Sequence, residues 1–380
     1  MSNRSVEVLI NDLYPKLESC KIYIHHQNTE CPIEKLLDSN RLCEKMKDFA
    51  CVFDDGSKTT LKIPNEKYFP NLECLSTQTS SSPISFQNLV KLRVHCISIL
   101  EKSNLPNLEE LELRPRSLPL DEIIIPKSMN APKLKFIYMK TLNGGLKNFD
   151  QFTNLEKLII HSSSSLGKTP LTILENLPKL NDIRIYSYFG GNSFSKLSKQ
   201  IKFTKLVIKP KYGYDEKPYL DMEDVKYISK LESLQYLELN VADQEQFDIL
   251  INANLPNLTQ LNFNNHLTSE NIISILQSKF HKLKTLGITQ ADKPMMKLFK
   301  KYSLPNLDTV KFRKRRACTP FKALKPLLKS NYIRNIKYYC GKRDLLKLEK
   351  FCERNQRIKL ELFSEATSVY PNFICKITKI

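Results

Sequence analysis

The segment SSSSLGKTP, Ser162 to Pro170, ends in the Gly-Lys-Thr that closes a phosphate-binding loop. Such a loop cradles phosphates on backbone N–H groups and needs a glycine where this chain has Ser162. Without it the stretch reads as a loop and a helix start, with Thr169 in the cap position. The six histidines, His25, His26, His95, His161, His266 and His281, form no HExxH and have no metal-ligand spacing with cysteine or carboxylate. His95 and His161 read as strand-surface residues. A GxSxG elbow is also absent. None of the ten cysteines forms a CxxC pair, and several stand where an apolar residue is expected, so they read as reduced thiols. The residue chemistry therefore points away from an enzyme, and no metal or other cofactor is expected.

Charge is the departure that calls for a reason. From Lys293 to Lys359, 21 Lys and Arg stand against four acids, so +17 of the chain's +19 lies in this segment. An excess this local suggests an anionic partner. Lys311, Arg313, Lys337, Tyr339, Arg357 and Lys359 flank or separate apolar pairs in short strand-like motifs, and are the expected ligand-binding residues for such a partner. Acidic protein and nucleic acid both fit, as does a plain solvated lysine surface. Arg313, Lys314, Arg315 and Arg316, within KFRKRR, also form a candidate nuclear import signal. Tyr138, Tyr186 and Tyr339 are either ordinary exposed strand aromatics or a stacking platform.

The elements that carry these residues repeat. LPNLEELELR at Leu105 returns as LPNLTQLNFN at Leu255 and as LPNLDTVKFR at Leu304. Aligned on an apolar residue, two variable residues and then apolar-x-apolar, the frame recurs 15 times. Examples are Leu108/Leu111/Leu113, Leu155/Leu158/Ile160, Leu258/Leu261/Phe263 and the weak last copy Ile358/Leu360/Leu362. Fourteen intervals cover 338 residues, about 24 each. Each motif predicts one short strand with its apolar pair turned into a shared core, and PNL or PKL marks the corner before it. TSENIISILQSKF predicts a helix capped by Thr268 or Ser269, and TPLTIL and TPFKAL predict helix starts with Pro170 and Pro320 in first position. The 17- and 19-residue intervals from Leu75 to Leu92 and from Leu92 to Leu111 leave no room for a full helix.

This pattern resembles the leucine-rich-repeat family, and its irregular periods look most like the repeat region of F-box/leucine-rich-repeat proteins, with no recognisable F-box. The resemblance implies an α/β solenoid, a horseshoe or arc with parallel strands on its concave face, over residues 1–363, whose N-terminal cap merges with the first repeats. Residues 364–380 are expected to cap its C-terminal end. The family's usual laddering Asn or Cys, three residues after the last motif leucine, is missing: Arg116, Ser163, Ala242 and His266 stand there. The resemblance further implies non-catalytic binding of a protein on the concave face, as in substrate recognition for SCF-type ubiquitin ligases. If the partner of the basic ladder is an acidic protein, binding is expected to need the neutral concave residues Thr285, Thr289 and Asn262 as well. The alternative is a nuclear nucleic-acid- or chromosome-associated protein using the basic C-terminal repeats. No signal-like N-terminus and no run of roughly 18 apolar residues is present. An intracellular place, cytoplasmic or nuclear, is expected, with no membrane partner.

Overall fold

A computed structural model describes residues 18–24, 45–53, 69–77, 84–95, 97–114, 125–141, 146–165, 171–188, 194–197, 201–209, 220–289, 293–302, 304–312, 321–330, 332–340, 342–355, 357–364 and 373–379. The chain divides into two compact units. One comprises Met1–Tyr188 with Lys196–Lys199, and the other Phe189–Ser195 with Gln200–Ile380.

Among the described residues the first unit holds eight strands: β1 (Ser19–Ile24), β2 (Asp48–Phe53), β3 (Cys74–Thr77), β4 (Lys91–Val94), β5 (Glu110–Leu113), β6 (Phe136–Thr141), β7 (Lys157–Ser165) and β8 (Asp182–Tyr188). They pair in parallel in chain order, with like motif positions in register: Leu75, Leu92, Leu111, Ile137, Leu158 and Ile183 form one row. That row is buried, as is the row of second motif residues Val94, Leu113, Met139, Ile160 and Ile185. Side chains alternate along a strand, so the residue between the two apolar positions faces the open side of the sheet. The opposite side is thin. Among the described residues it carries 3-10 turns at Ser98–Leu100, Phe149–Gln151 and Leu171–Asn176, together with isolated bridges joining Ser85 to Asn104 and Asn104 to Asn130.

Interval length explains much of this. No helix lies between β3 and β4 among the described residues, and one three-residue turn lies between β4 and β5, as the short intervals require. TPLTIL departs from its reading, because Leu171–Asn176 is 3-10 and not α-helical. Pro178 and the next corner follow at once and leave no second turn. Thr169, Pro170, Thr319 and Pro320 lie outside the described residues.

In the second unit β9 (Lys205–Lys209), β10 (Tyr236–Leu239), β11 (Gln260–Phe263), β12 (Thr285–Ile288), β13 (Thr309–Phe312) and β14 (Asn335–Cys340) continue the same parallel register. Here the intervals admit helices: α1 (Met222–Ile228), α2 (Gln244–Ile251), α3 (Ser269–Leu276), α4 (Lys293–Lys301), α5 (Phe321–Leu328) and α6 (Lys342–Glu353). Thr268 caps α3 as expected. Its hydroxyl accepts from the Asn271 N–H at 3.2 Å while the Asn271 carboxamide accepts from the Thr268 N–H at 2.9 Å, a reciprocal capping box. Ile272, Ile275 and Leu276 then face the core.

The end of the array differs from the frame. β16 (Phe373–Lys379) inserts between β14 and β15 (Ile358–Ser364) and runs antiparallel to both. The last motif, Ile358/Leu360/Leu362, therefore does not lie beside β14. Cys375 and Ile377 of β16 fill the core beside Ile336.

The corners explain why Pro-Asn-Leu repeats. Asn107 Nδ2 donates to the Gln87 carbonyl at 2.7 Å, Asn154 to that of Pro132 at 2.7 Å, and Asn306 to that of His281 at 2.6 Å. Where the next corner reads PKL, its lysine donates to the asparagine's free oxygen: Lys133 to Asn107 at 2.6 Å and Lys179 to Asn154 at 2.7 Å. In the main chain a single carbonyl serves two donors, as Val90 O accepts from Glu109 at 2.8 Å and from Glu110 at 3.0 Å. The asparagine ladder missing after the strands thus stands before them, satisfying backbone groups that a tight corner would leave unpaired.

Candidate functional site

On the open face of the first unit, β4 to β8 set charged and aromatic side chains in contiguous rows. Glu112, between Leu111 and Leu113, accepts from Arg93 Nε at 2.6 Å and lies 3.2 Å from Arg114 Nε. Its carboxyl is 10% exposed. Burial alone would raise its pKa, but the hydrogen bond from Arg93 and the charges of Arg93, Arg114 and Lys91 hold it below its ordinary value. In the neighbouring row Lys91 Nζ donates to Glu110 at 2.6 Å, which raises the lysine's pKa.

The guanidinium of Arg114 also lies 5.0 Å from the centre of the Tyr138 ring. Tyr138 stands 5.3 Å from His161, and His161 stacks on Tyr186 at 4.2 Å with planes 21° apart. The parallel register carries this run, because Lys140, His161 and Tyr186 occupy one row and Glu112 and Tyr138 the adjoining one. Tyr138, His161 and Tyr186 are all partly exposed. The rings lean on one another across strands and stay partly exposed. That arrangement suits contact with a protein surface, where tyrosine and arginine offer large area with few rotamers.

The open face of the second unit is built differently. Glu238, between Leu237 and Leu239, is 1% exposed and pairs with Lys209. The Tyr236 hydroxyl donates to its Oε2 at 2.6 Å. Gln260 bonds Asn262 at 3.4 Å and receives Lys311 Nζ at 3.3 Å. Lys311 on β13 reaches β11 by crossing β12 at Gly287, whose missing side chain leaves the path open. Asn262, expected to meet a partner, is fully buried beneath this cover. Thr289 is spent internally, its hydroxyl donating to Asn265 O at 2.8 Å.

The expected anion-binding residues fare unevenly. Lys311 and Lys337 are in register, and Lys337 is in register with Lys376 of β16. Lys359 is not next to Lys337. It sits one strand further out, opposite Thr378, and lies 3.2 Å from Glu361, which also bonds Lys376 at 2.8 Å. The ladder is thus interrupted by a strand that the repeat frame did not contain, and partly neutralised by an acid just past the basic segment. Arg357 is exposed in the turn just before β15. Tyr339 lies in β14, but its side chain is outside the described residues, as are Arg313, Lys314, Arg315 and Arg316. Among the described residues no three His, Cys, Asp or Glu could hold a metal ion, and no helix is long and apolar enough to cross a membrane.

A family model described as leucine-rich repeat region matches residues 127–351. Among solved structures, the crystal structure of a TLR13–ssRNA13 complex is similar at 18% identity and a TM-score of 0.37, covering 86% of this chain and 54% of that one. This chain therefore spans about half the length of that structure. A search of curated proteins found no match.

Proposed function

Because the chain belongs to the leucine-rich repeat family, we propose that it is a non-catalytic scaffold that binds another protein on the open strand face. The contiguous run Arg114, Tyr138, His161 and Tyr186, which crosses two adjoining rows, carries this reading. Its rings, interleaved with Arg93, Glu112 and Arg184, have the composition in which binding energy concentrates at protein interfaces. Tyr138→Ala and Tyr186→Ala should each weaken partner binding by about tenfold, while folding as judged by circular dichroism is retained. Unchanged affinity in both would remove the assignment. Delivery of that partner to an SCF-type ubiquitin ligase is the most concrete version, resting on the irregular repeats. Affinity purification that recovers adaptor and cullin subunits supports it, and their absence beside other recovered interactors refutes it.

A second reading, binding of an anionic ligand through the basic C-terminal repeats by a nuclear protein, is favoured by one observation. Lys311, Lys337 and Lys376 share a register row across β13, β14 and β16. Imaging tagged protein with and without Arg313, Lys314, Arg315 and Arg316 changed to alanine tests the nuclear part. Cytoplasmic signal in both would contradict it.

A further inference from the structure

Most of the described basic side chains between Lys293 and Lys359 stand on helices or just past their C-terminal ends, and not on strands. α4 exposes Lys293, Lys297, Lys300 and Lys301, and α5 with its end exposes Lys325 and Lys329. The buried faces of the same helices, Met295, Met296 and Phe299 on α4 and Leu324 and Leu327 on α5, pin them to the core and orient the lysines outward. Lys293, Lys297 and Lys301 recur every fourth residue, as do Lys325 and Lys329, so each helix carries a column of charges about 6 Å apart. The two helices pack side by side. Like charges at this spacing destabilise a helix. The neighbouring helices do not share the feature, since α2 exposes Glu245 and Asp248 and α3 exposes Glu270. Among the described side chains α6 continues the basic face with Lys347, Lys350 and, just past its end, Arg354, beside the exposed Glu353 and the half-buried Glu349. Among the described residues, Lys297, Lys300, Lys329, Lys350 and Arg354 have no carboxylate within ion-pair distance.

We propose that the outer face of α4 and α5, extended by α6, binds the phosphate backbone of a duplex nucleic acid without regard to sequence. Lysines supply point charges that neutralise phosphates but cannot read bases in paired, planar fashion, and the α4–α5 face exposes no Arg, Asn or Gln that could. A single strand would call for aromatic side chains to stack its bases, and among the described side chains of α4 and α5 no exposed ring stands on this face. An anionic bilayer would call for apolar side chains among the lysines. Leu346 on α6 is exposed, but among their described side chains α4 and α5 expose no large apolar one. This face is separate from the strand face assigned to a protein partner, so either assignment can fail without the other.

The test is fluorescence anisotropy of a labelled duplex of about 20 base pairs, titrated with full-length protein between about 50 and 200 mM salt. Each neutralised phosphate contributes about 0.9 to the slope of log affinity against log salt, so six contacts give a loss of about a thousandfold over that range. Lys297→Glu, Lys301→Glu and Lys329→Glu together should cut the slope by about 3 units, whereas Lys337→Glu on the strand face should leave it within about one unit. If the reversal variant unfolds, the Lys→Gln triple variant, which removes charge without introducing like-sign acids, should show the same loss. No duplex binding at low salt overturns the proposal, as does a slope that the folded triple variant leaves unchanged. Binding to phosphatidylserine vesicles with none to duplex overturns it in favour of a membrane.

Discussion

At the scale of single residues, Glu112 and Cys74 give the sharpest expectations. Glu112 has a folded pKa below its ordinary value, so the stability it contributes is present above the ordinary carboxylate range and is lost as pH falls through the folded value. Glu112→Gln should therefore cost about 1 kcal/mol at neutral pH, discounted because both arginines are more than a third exposed. The difference from the parent should vanish in acid, as urea unfolding at pH 7 and pH 3 would reveal. Cys74 is pushed up to about 12 by burial, by its hydrogen bond to Asp48 and by that residue's charge. Its thiol should resist iodoacetamide at pH 8 in the folded protein, and Asp48→Asn should speed the reaction. Much at this scale could be read before any coordinates, because the frame alone made Tyr138 and Tyr186 exposed strand aromatics. The frame failed for Asn262 and Lys311. A strand position says which way a side chain starts, not whether a lysine two strands away folds over it.

At the scale of elements, the corner asparagines and the helix caps carry the account. Asn107→Ala removes a donor to Gln87 O and an acceptor for Lys133, and should cost about 1 kcal/mol in a denaturant titration. Thr268→Ala should cost about as much by opening the capping box of α3, with Thr268→Ser largely restoring it. The helix at Thr268 was legible because cap, apolar face and interval length agreed. The corner ladder was visible only as a recurring Pro-Asn-Leu, since its partners are backbone carbonyls one repeat earlier and leave no mark on side-chain pattern. β16 was hidden for another reason. Phe373, Cys375 and Ile377 alternate as a strand should, but the antiparallel insertion between β14 and β15 belongs to topology, which a repeat frame extrapolates wrongly at its end.

At the scale of the whole molecule, function divides by face and by unit. The first unit offers paired charges and leaning aromatics on its open strand face, while the second keeps its strand-face acid Glu238 buried and exposes its lysines on helices. Charge counting along the chain located the basic segment but could not say which side of the repeat it occupies. The central claim is that a protein partner docks on the first unit's strand face. It is tested most directly by replacing Tyr138 with a photo-crosslinking phenylalanine derivative, with a matched replacement of Glu245 on α2, and irradiating the full-length protein in its own cells. The account predicts a discrete protein adduct from position 138 that is absent from position 245 and lost when Arg93 and Arg114 are changed to Glu. Equal adducts from both positions, or an adduct at 138 that survives the arginine changes, would contradict it.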